Sequence, residues 1–112
     1  MTNSAKNKGD SAEREAAALL SELLGVPVRR MLGAGRSDDV GDLEGVPNCA
    51  IQVASWKNTS AAAIQKPLGA EAQRQNSGSD HAATMVRFRG GTWRMVLTPE
   101  QWAALIKITL LQ

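Results

Sequence analysis

The chain has 112 residues, of which 43% are hydrophobic and 21% are charged. This composition fits one globular domain with a single core and excludes a disordered protein. The net charge of +2 does not by itself indicate a nucleic-acid partner. The single Cys49 cannot form an internal disulfide, and no secretory leader or membrane span is predicted, because the apolar stretch "WAALIKITLL" is short and interrupted by Lys107. We therefore expect a cytoplasmic protein.

The charges are distributed unevenly along the chain. Residues 1–51 contain six basic and eight acidic side chains, whereas residues 52–112 contain seven basic and three acidic ones. An acidic cluster beside a basic half is typical of a phosphate-binding surface built around a metal site. A solvated surface with uneven charge is the simpler alternative, and charge alone favours it.

The first predicted element is a helix over residues 10–25, preceded by a flexible basic arm at residues 1–9. Asp10 or Ser11 provides the cap, and Gly25 ends the helix. Residues at helical spacing form the predicted buried stripe: Ala12, Ala16, Leu19, Leu20, Leu23 and Leu24. Three strands follow at 26–32, 39–46 and 49–56, with a glycine-rich loop at 33–39 between the first two.

The second half begins with "NTSAAAIQ", which fits either a loop or a short helix. Pro67 is predicted to begin a helix that ends near Asn76 and Gly78. A β-hairpin with its turn at Gly90–Gly91 comes next, and Thr98 caps the last helix through a capping box. The predicted order is α-β-β-β-α-β-β-α, an α/β domain over residues 10–112 with a mixed central sheet flanked by helices.

Two acidic residues stand out as candidates for chemistry. Glu13 lies at helical spacing with Ala17, which places it on or beside the face that turns toward the sheet. A first-turn acid stabilised by the helix dipole is the simpler interpretation of Glu13. Asp42 lies within a short strand, where aspartate is disfavoured and usually requires a reason such as a metal ion.

These residues belong to two segments that resemble a known family. "KGDSAERE", followed by "GRSDDVGDLEGVPN" running into an alternating strand, is similar to the PD-(D/E)XK nuclease superfamily. More narrowly, the chain resembles small Holliday junction resolvase-like proteins of archaea and actinobacterial phages. The segment "EAQRQNSGSDHAATMVRFRGGTWRMVLTPEQWAAL" also resembles the phage versions. The likeness therefore covers most of the chain and implies a restriction-endonuclease-like fold.

The resemblance implies a homodimeric, Mg²⁺-dependent endodeoxyribonuclease that acts on branched DNA, with Mn²⁺ as a substitute metal. Glu13 and Asp42 match the acidic ligands of that family. The side-chain oxygen of Gln52 and the carbonyl of Val53 would complete an oxygen-rich site of the kind that Mg²⁺ prefers.

The third strand departs from the family pattern. Gln52-Val53-Ala54 stands where the family has Glu-x-Lys, so the expected lysine is absent. Lys66 could replace it from the following helix, and Lys57 could do so if the strand end swung it back. If neither does, the chain is an inactive nuclease-fold protein that binds branched or duplex DNA without cutting it.

Five basic residues are candidates for DNA contacts: Lys6, Lys8, Arg29, Arg30 and Arg36. Three others, Arg87, Arg89 and Arg94, are interpreted as the solvent face of the hairpin. The remaining interpretations concern structural roles: Trp56, Trp93 and Trp102 in the core, Asp38 and Asp39 in a loop, and His81 outside any metal site.

Overall fold

A computed structural model describes residues 4–32 and 39–111, with side chains from residue 10 onward in the first range. The helices are α1 Ser4–Leu24, α2 Thr59–Ser77 and α3 Pro99–Leu110. The strands are β1 Arg29–Arg30, β2 Leu43–Glu44, β3 Cys49–Ala54, β4 His81–Phe88 and β5 Thr92–Val96. The predicted order of elements is confirmed, although β1 and β2 are much shorter than the sequence suggested.

The five strands form one mixed sheet in the order β1-β2-β3-β4-β5. β3 and β4 run parallel, and α2 supplies the crossover that such a pair requires. The other neighbours are antiparallel. β4 and β5 form the predicted hairpin, joined by a 3-10 turn at Arg89–Gly91 in which Gly90 adopts a φ of 79°. The α/β prediction is therefore confirmed.

The two faces of the sheet are covered by different helices. Strand alternation turns Ile51 and Val53 toward α1, where they pack with Ala16 and Leu20. The opposite face packs against α2 almost entirely through small residues: Ala50, Ala54, Ala62, Ala70, Ala82 and Val86. These alanines allow α2 to lie close to the sheet, so any larger side chain on this face is confined.

The first helix differs from its prediction at both ends. α1 begins at Ser4, so the backbone of residues 4–9, predicted as a flexible arm, is helical; residues 1–3 lie outside the described residues. Leu23 and Leu24 are 70% and 50% exposed, and the predicted stripe was wrong to include them. The described sheet contacts of α1 centre on Ala12 to Leu20, so its last turn extends past the core.

The start of α2 was also predicted wrongly. Pro67 lies buried inside this helix rather than at its first position. Asn58 caps the helix, because its Oδ1 accepts a hydrogen bond from the Ala61 N–H at 3.0 Å. The alanine-rich first turns have high helix propensity, and packing against the sheet offsets the hydrogen bond that proline cannot make. The "NTSAAAIQ" segment is thus helical from Thr59 onward.

The last helix is tied to α2 by a buried glutamine. The predicted capping box is confirmed, since Thr98 and Gln101 exchange side-chain and main-chain hydrogen bonds. The Gln101 Nε2 also donates to the Pro67 carbonyl and to Glu71 Oε2, each at 3.1 Å.

Trp102 is 57% exposed and Trp56 38%, so the prediction that both belong to the core was wrong. In the described ranges, none of the helices has the length and apolarity needed to cross a membrane.

The turn between β2 and β3 depends on Gly45, which yields the first prediction. A Cβ at this position would lie 2.2 Å from the Pro27 carbonyl oxygen, and the φ is +107°. Gly25 also has a positive φ, +71°, but its Cβ would meet nothing within 4 Å. We expect Gly45→Ala to lower the free energy of unfolding by about 2 kcal/mol more than Gly25→Ala. Urea denaturation measures both, and equal losses would contradict the predicted collision.

Candidate functional site

Asp42 is held in the sheet just before β2 by its main chain and its side chain. Its N–H donates to the Ile51 carbonyl and its own carbonyl accepts from the Met31 N–H, both at 2.8 Å. Its Oδ2 accepts a hydrogen bond from the Val53 N–H at 2.8 Å. A side-chain oxygen thus occupies the place of the next ladder acceptor, which fixes the carboxylate at the end of β2.

The pKa of the Asp42 carboxyl is raised, first of all by burial. The neighbouring Asp39 raises it further, whereas the Val53 N–H and the positive charge of Lys66 lower it. A half-buried carboxylate beside another acid is costly to ionise, and a nearby positive charge would lower that cost. Displaced pKa values of this kind are common at functional sites.

Glu13 shares this environment from the α1 side. Burial raises the pKa of its carboxyl to about 6, and repulsion from Asp42 is the second cause. Arg30 lowers the pKa and Asp10 raises it. The structure therefore brings the two predicted acids, one from a helix and one from the sheet, close enough for their charges to interact.

Gln52 approaches from the other face of the sheet. Its side chain is buried against α2, and a Cβ built on Gly69 would lie 3.1 Å from Gln52 Oε1 and 3.2 Å from Nε2. Among the described residues, Oε1 has no hydrogen-bond partner. A buried amide oxygen without a partner is uncommon, and a bound cation or water molecule would explain it. However, Gln52 points toward α2, whereas Glu13 reaches Asp42 from α1.

Val53 presents its main chain to the same edge as Asp42. In a β-strand the N–H and C=O of one residue point to the same side, because paired residues exchange both bonds. Since the Val53 N–H donates to Asp42 Oδ2, its carbonyl also points toward the Asp42 side. The predicted main-chain ligand thus lies on the same side of β3 as the carboxylate.

The two candidate lysines lie in different surroundings. Lys66 is half-buried on α2, where its charge acts on Asp42 and its Nζ lies 5.0 Å from the centre of the Trp56 ring. Lys57 is exposed and lines a cavity beside the β4–β5 hairpin. The structure therefore associates Lys66, rather than Lys57, with Asp42.

Asp39 contributes to the site in a way that the sequence interpretation missed. It lies in the loop before β2, as expected, but its Oδ2 accepts from Gln73 Nε2 at 2.9 Å and its carbonyl accepts from Asn76 Nδ2 at 2.8 Å. Its Oδ1 accepts from the Gly41 N–H at 3.1 Å. An aspartate two residues before a glycine is typical of an Asx turn. This pattern in the sequence could have indicated the structural role of Asp39.

The predicted DNA-contacting residues are only partly placed. Arg29 pairs with Glu44 at 3.2 Å and is largely exposed, whereas Arg30 pairs with Asp10 at 3.1 Å. Lys6 and Lys8 belong to α1 by their backbone, but their side chains lie outside the described residues, as does Arg36. Arg30 therefore compensates acidic residues of α1, since it pairs with Asp10 and lowers the pKa of Glu13. Arg29 is the more accessible of the two arginines.

The donor set suits a hard divalent cation. The two carboxylates and the Val53 carbonyl are oxygen ligands of the kind that Mg²⁺ takes, usually with several waters retained. Among the described residues, no group of three or more His, Cys, Asp or Glu side chains is arranged to hold a metal. A metal beside Glu13 and Asp42 would thus depend on the Val53 carbonyl and on water, because the Gln52 amide lies against α2 on the other face of the sheet.

Comparison with protein-family models, with curated proteins and with solved structures found no match to this chain.

The confinement of Gln52 by Gly69 gives a testable coupling. Alanine in a helix interior is favoured over glycine by about 1 kcal/mol, but at position 69 its Cβ would press on the Gln52 amide. We expect Gly69→Ala to give no gain in the wild-type chain and to stabilise a Gln52→Ala variant by about 1 kcal/mol. Chemical denaturation of all four proteins measures the coupling, and an identical effect in both backgrounds would disprove it.

The raised pKa of Glu13 predicts a pH dependence of stability in the absence of divalent metal. Between pH 4.5 and about 6 the folded state binds more protons at Glu13 than the unfolded state does. The free energy of unfolding contributed by Glu13 must therefore fall as the pH rises through this window. Glu13→Gln should be more stable than wild type at pH 7, and the difference should shrink by pH 4.5.

Thermal unfolding in EDTA across this pH range measures the effect of Glu13→Gln. Glu22→Gln, which removes an exposed acid from the same helix, is the matched control. If the two variants show the same pH profile, Glu13 does not experience the burial and repulsion described above.

Proposed function

We propose that this protein is a metal-dependent endodeoxyribonuclease with a restriction-endonuclease-like fold, which hydrolyses phosphodiester bonds in branched DNA. The observation that carries the proposal is the half-buried pair Glu13 and Asp42, with Lys66 acting on Asp42 from the opposite helix. Two repelling carboxyls with raised pKa values are unfavourable for folding alone, so a ligand that compensates their charge is the simplest reason for their proximity.

Glu13 and Asp42 would hold Mg²⁺ or Mn²⁺ together with the Val53 carbonyl and water, whereas the unpaired Gln52 Oε1 faces α2 and is not counted as a ligand. When bound, such a cation supplies positive charge for the scissile phosphate and acidifies a coordinated water. The Val53 N–H fixes one carboxylate oxygen of Asp42 by a hydrogen bond, so the protein itself orients this ligand.

Lys66 supplies the positive charge that Ala54 cannot. Its ammonium lies over the Trp56 ring, an arrangement favoured by cation–π attraction, and this contact restricts where the flexible side chain can point. A lysine whose charge acts on Asp42 can donate hydrogen bonds to a phosphate bound there and stabilise the charge that develops during hydrolysis. We assign this role to Lys66 rather than Lys57 because the positive charge of Lys66 lowers the pKa of Asp42, whereas Lys57 lines the cavity beside the hairpin.

The preference for branched DNA and the homodimer rest on the resemblance to Holliday junction resolvase-like proteins. A chain of 112 residues has little surface for a broad DNA contact. A two-fold pair would double that surface and place two equivalent sites across a four-way junction.

A second candidate function is DNA binding without cleavage. Ala54, at the position of the family lysine, is 1% exposed and packs against Ala62 and Val86. This packing favours an inactive site. In the absence of metal, however, Glu13 and Asp42 would repel a DNA phosphate, and this argues for the enzyme.

Cleavage assays separate the two functions. We expect the wild-type protein to cut a synthetic four-way junction or flap in Mg²⁺ or Mn²⁺, in preference to a linear duplex. Asp42→Asn should reduce the rate by at least about 100-fold, whereas Glu22→Gln, an exposed acid on α1, should retain it. Tight junction binding with no cleavage in either metal would favour the non-enzymatic function.

The same assay, run as single turnover with saturating protein, assigns the lysine. Lys66→Met should reduce the cleavage rate more than Lys57→Met, because Lys66 acts on Asp42. A larger loss in Lys57→Met would transfer the role to Lys57, and undiminished rates in both variants would remove lysine from the mechanism.

A further inference from the structure

A cavity of about 750 Å³ opens beside the β4–β5 hairpin, where β3 ends and α2 begins. We call it the hairpin pocket. Four of its lining residues are basic, and none is acidic; the basic residues are Lys57, Arg87, Arg89 and Arg94. Trp56 and Thr59 lie in the same wall. The sequence interpretation treated the three arginines as a solvent face, but the fold brings them together with Lys57 around one cavity.

The hairpin pocket keeps most of its positive charge. Glu15 pairs with Arg87, with 3.4 Å between Oε1 and Nε, and the same oxygen accepts from Trp93 Nε1 at 2.8 Å. Arg87 Nε is buried, and this ionic contact does not have the geometry of a hydrogen bond. Within the residues whose side chains are described, Lys57, Arg89 and Arg94 make no ion pair. An anionic ligand would therefore meet three cations whose charge is not compensated locally.

The chemistry of the wall favours phosphate over other anions. Arginine presents several N–H donors in a planar fork that matches phosphate oxygens, and such charge-assisted hydrogen bonds are strong. Thr59 begins α2, so the positive end of a helix of 19 residues adds to the attraction. A Cβ at Gly90 would meet nothing within 4 Å, which leaves the hairpin tip open to a ligand.

Trp56 connects the hairpin pocket to the Asp42 site. Its ring lines the pocket and also lies beneath Lys66, whose charge acts on Asp42. Lys66 and the hairpin pocket therefore share Trp56 as a neighbour, so one nucleic-acid strand could contact both. Neither a free phosphate ion nor a small metabolite would exploit this continuity.

We infer that the hairpin pocket binds a backbone phosphate of DNA at a position away from the cleaved bond. The inference rests on the proposed function in one respect, the identity of DNA as the ligand. It assigns to Arg89 and Arg94 a role in affinity rather than in chemistry, so their contribution persists without metal.

Fluorescence anisotropy with a labelled four-way junction in EDTA tests this role without cleavage. The double variant Arg89→Ala/Arg94→Ala should bind at least about 10-fold more weakly, and the plot of log K against log salt should lose about 0.9 in slope per lost phosphate contact. Arg14→Ala/Lys107→Ala removes the same charge from exposed positions on α1 and α3 and should bind within about two-fold of wild type. Arg89→Lys/Arg94→Lys, which keeps the charge, should recover part of the affinity. Circular dichroism confirms that each variant is folded.

Each outcome bears on the pocket separately from the nuclease. Pocket-dependent binding by a wild-type protein that cuts nothing supports the inference and contradicts only the proposed hydrolysis. Cleavage by wild type, with both double variants binding equally well, overturns the inference and leaves the nuclease in place. A wild-type protein that neither binds these DNA substrates in EDTA nor cuts them in Mg²⁺ or Mn²⁺ overturns both.

Discussion

The hydrogen bond from the Val53 N–H to Asp42 Oδ2 is the interaction on which the candidate site depends. The Asp42 side chain accepts this bond where the main-chain pairing of β2 with β3 stops. Its carboxylate is therefore fixed just before the first residue of β2. Because α1 covers one face of the sheet and α2 the other, this carboxylate can be reached from both. Glu13 approaches from α1 and Lys66 from α2, and the opposite signs of their charges make Asp42 the centre of the cluster.

Features encoded by neighbouring residues were predictable from the sequence. The capping box at Thr98, the β4–β5 hairpin and the alternation of β3 each depend on hydrogen bonds or periodicity within a few residues. Features that depend on packing were not. Leu24 belongs to a helical stripe but extends past the sheet, and Pro67 is tolerated inside α2 because burial and the Asn58 cap support that helix.

The candidate site shows the same division. Glu13 and Asp42 could be singled out from the sequence. Glu13 shares the helix face that turns toward the sheet, Asp42 lies within a strand, and an acid is unfavourable at either kind of buried position. The different surroundings of Lys66 and Lys57 were not predictable, because they depend on where α2 begins. Once that helix starts at Thr59, Lys66 is carried on it toward the sheet, while Lys57 stays in the preceding turn. The contact between Gln52 and Gly69 likewise depends on how closely α2 approaches the sheet.

The close approach of α2 also explains why a lysine at position 54 is incompatible with this fold. Ala54 and Ala62 are both almost fully buried against one another, so a four-carbon side chain would find no volume there. Lys66 lies four residues after Ala62 in the same helix and therefore on the same face. A cation on the next turn can thus reach the Asp42 region without entering the packed layer. Under the proposed function, the close packing of α2 excludes a lysine from position 54, and Lys66 supplies the positive charge from the same helix.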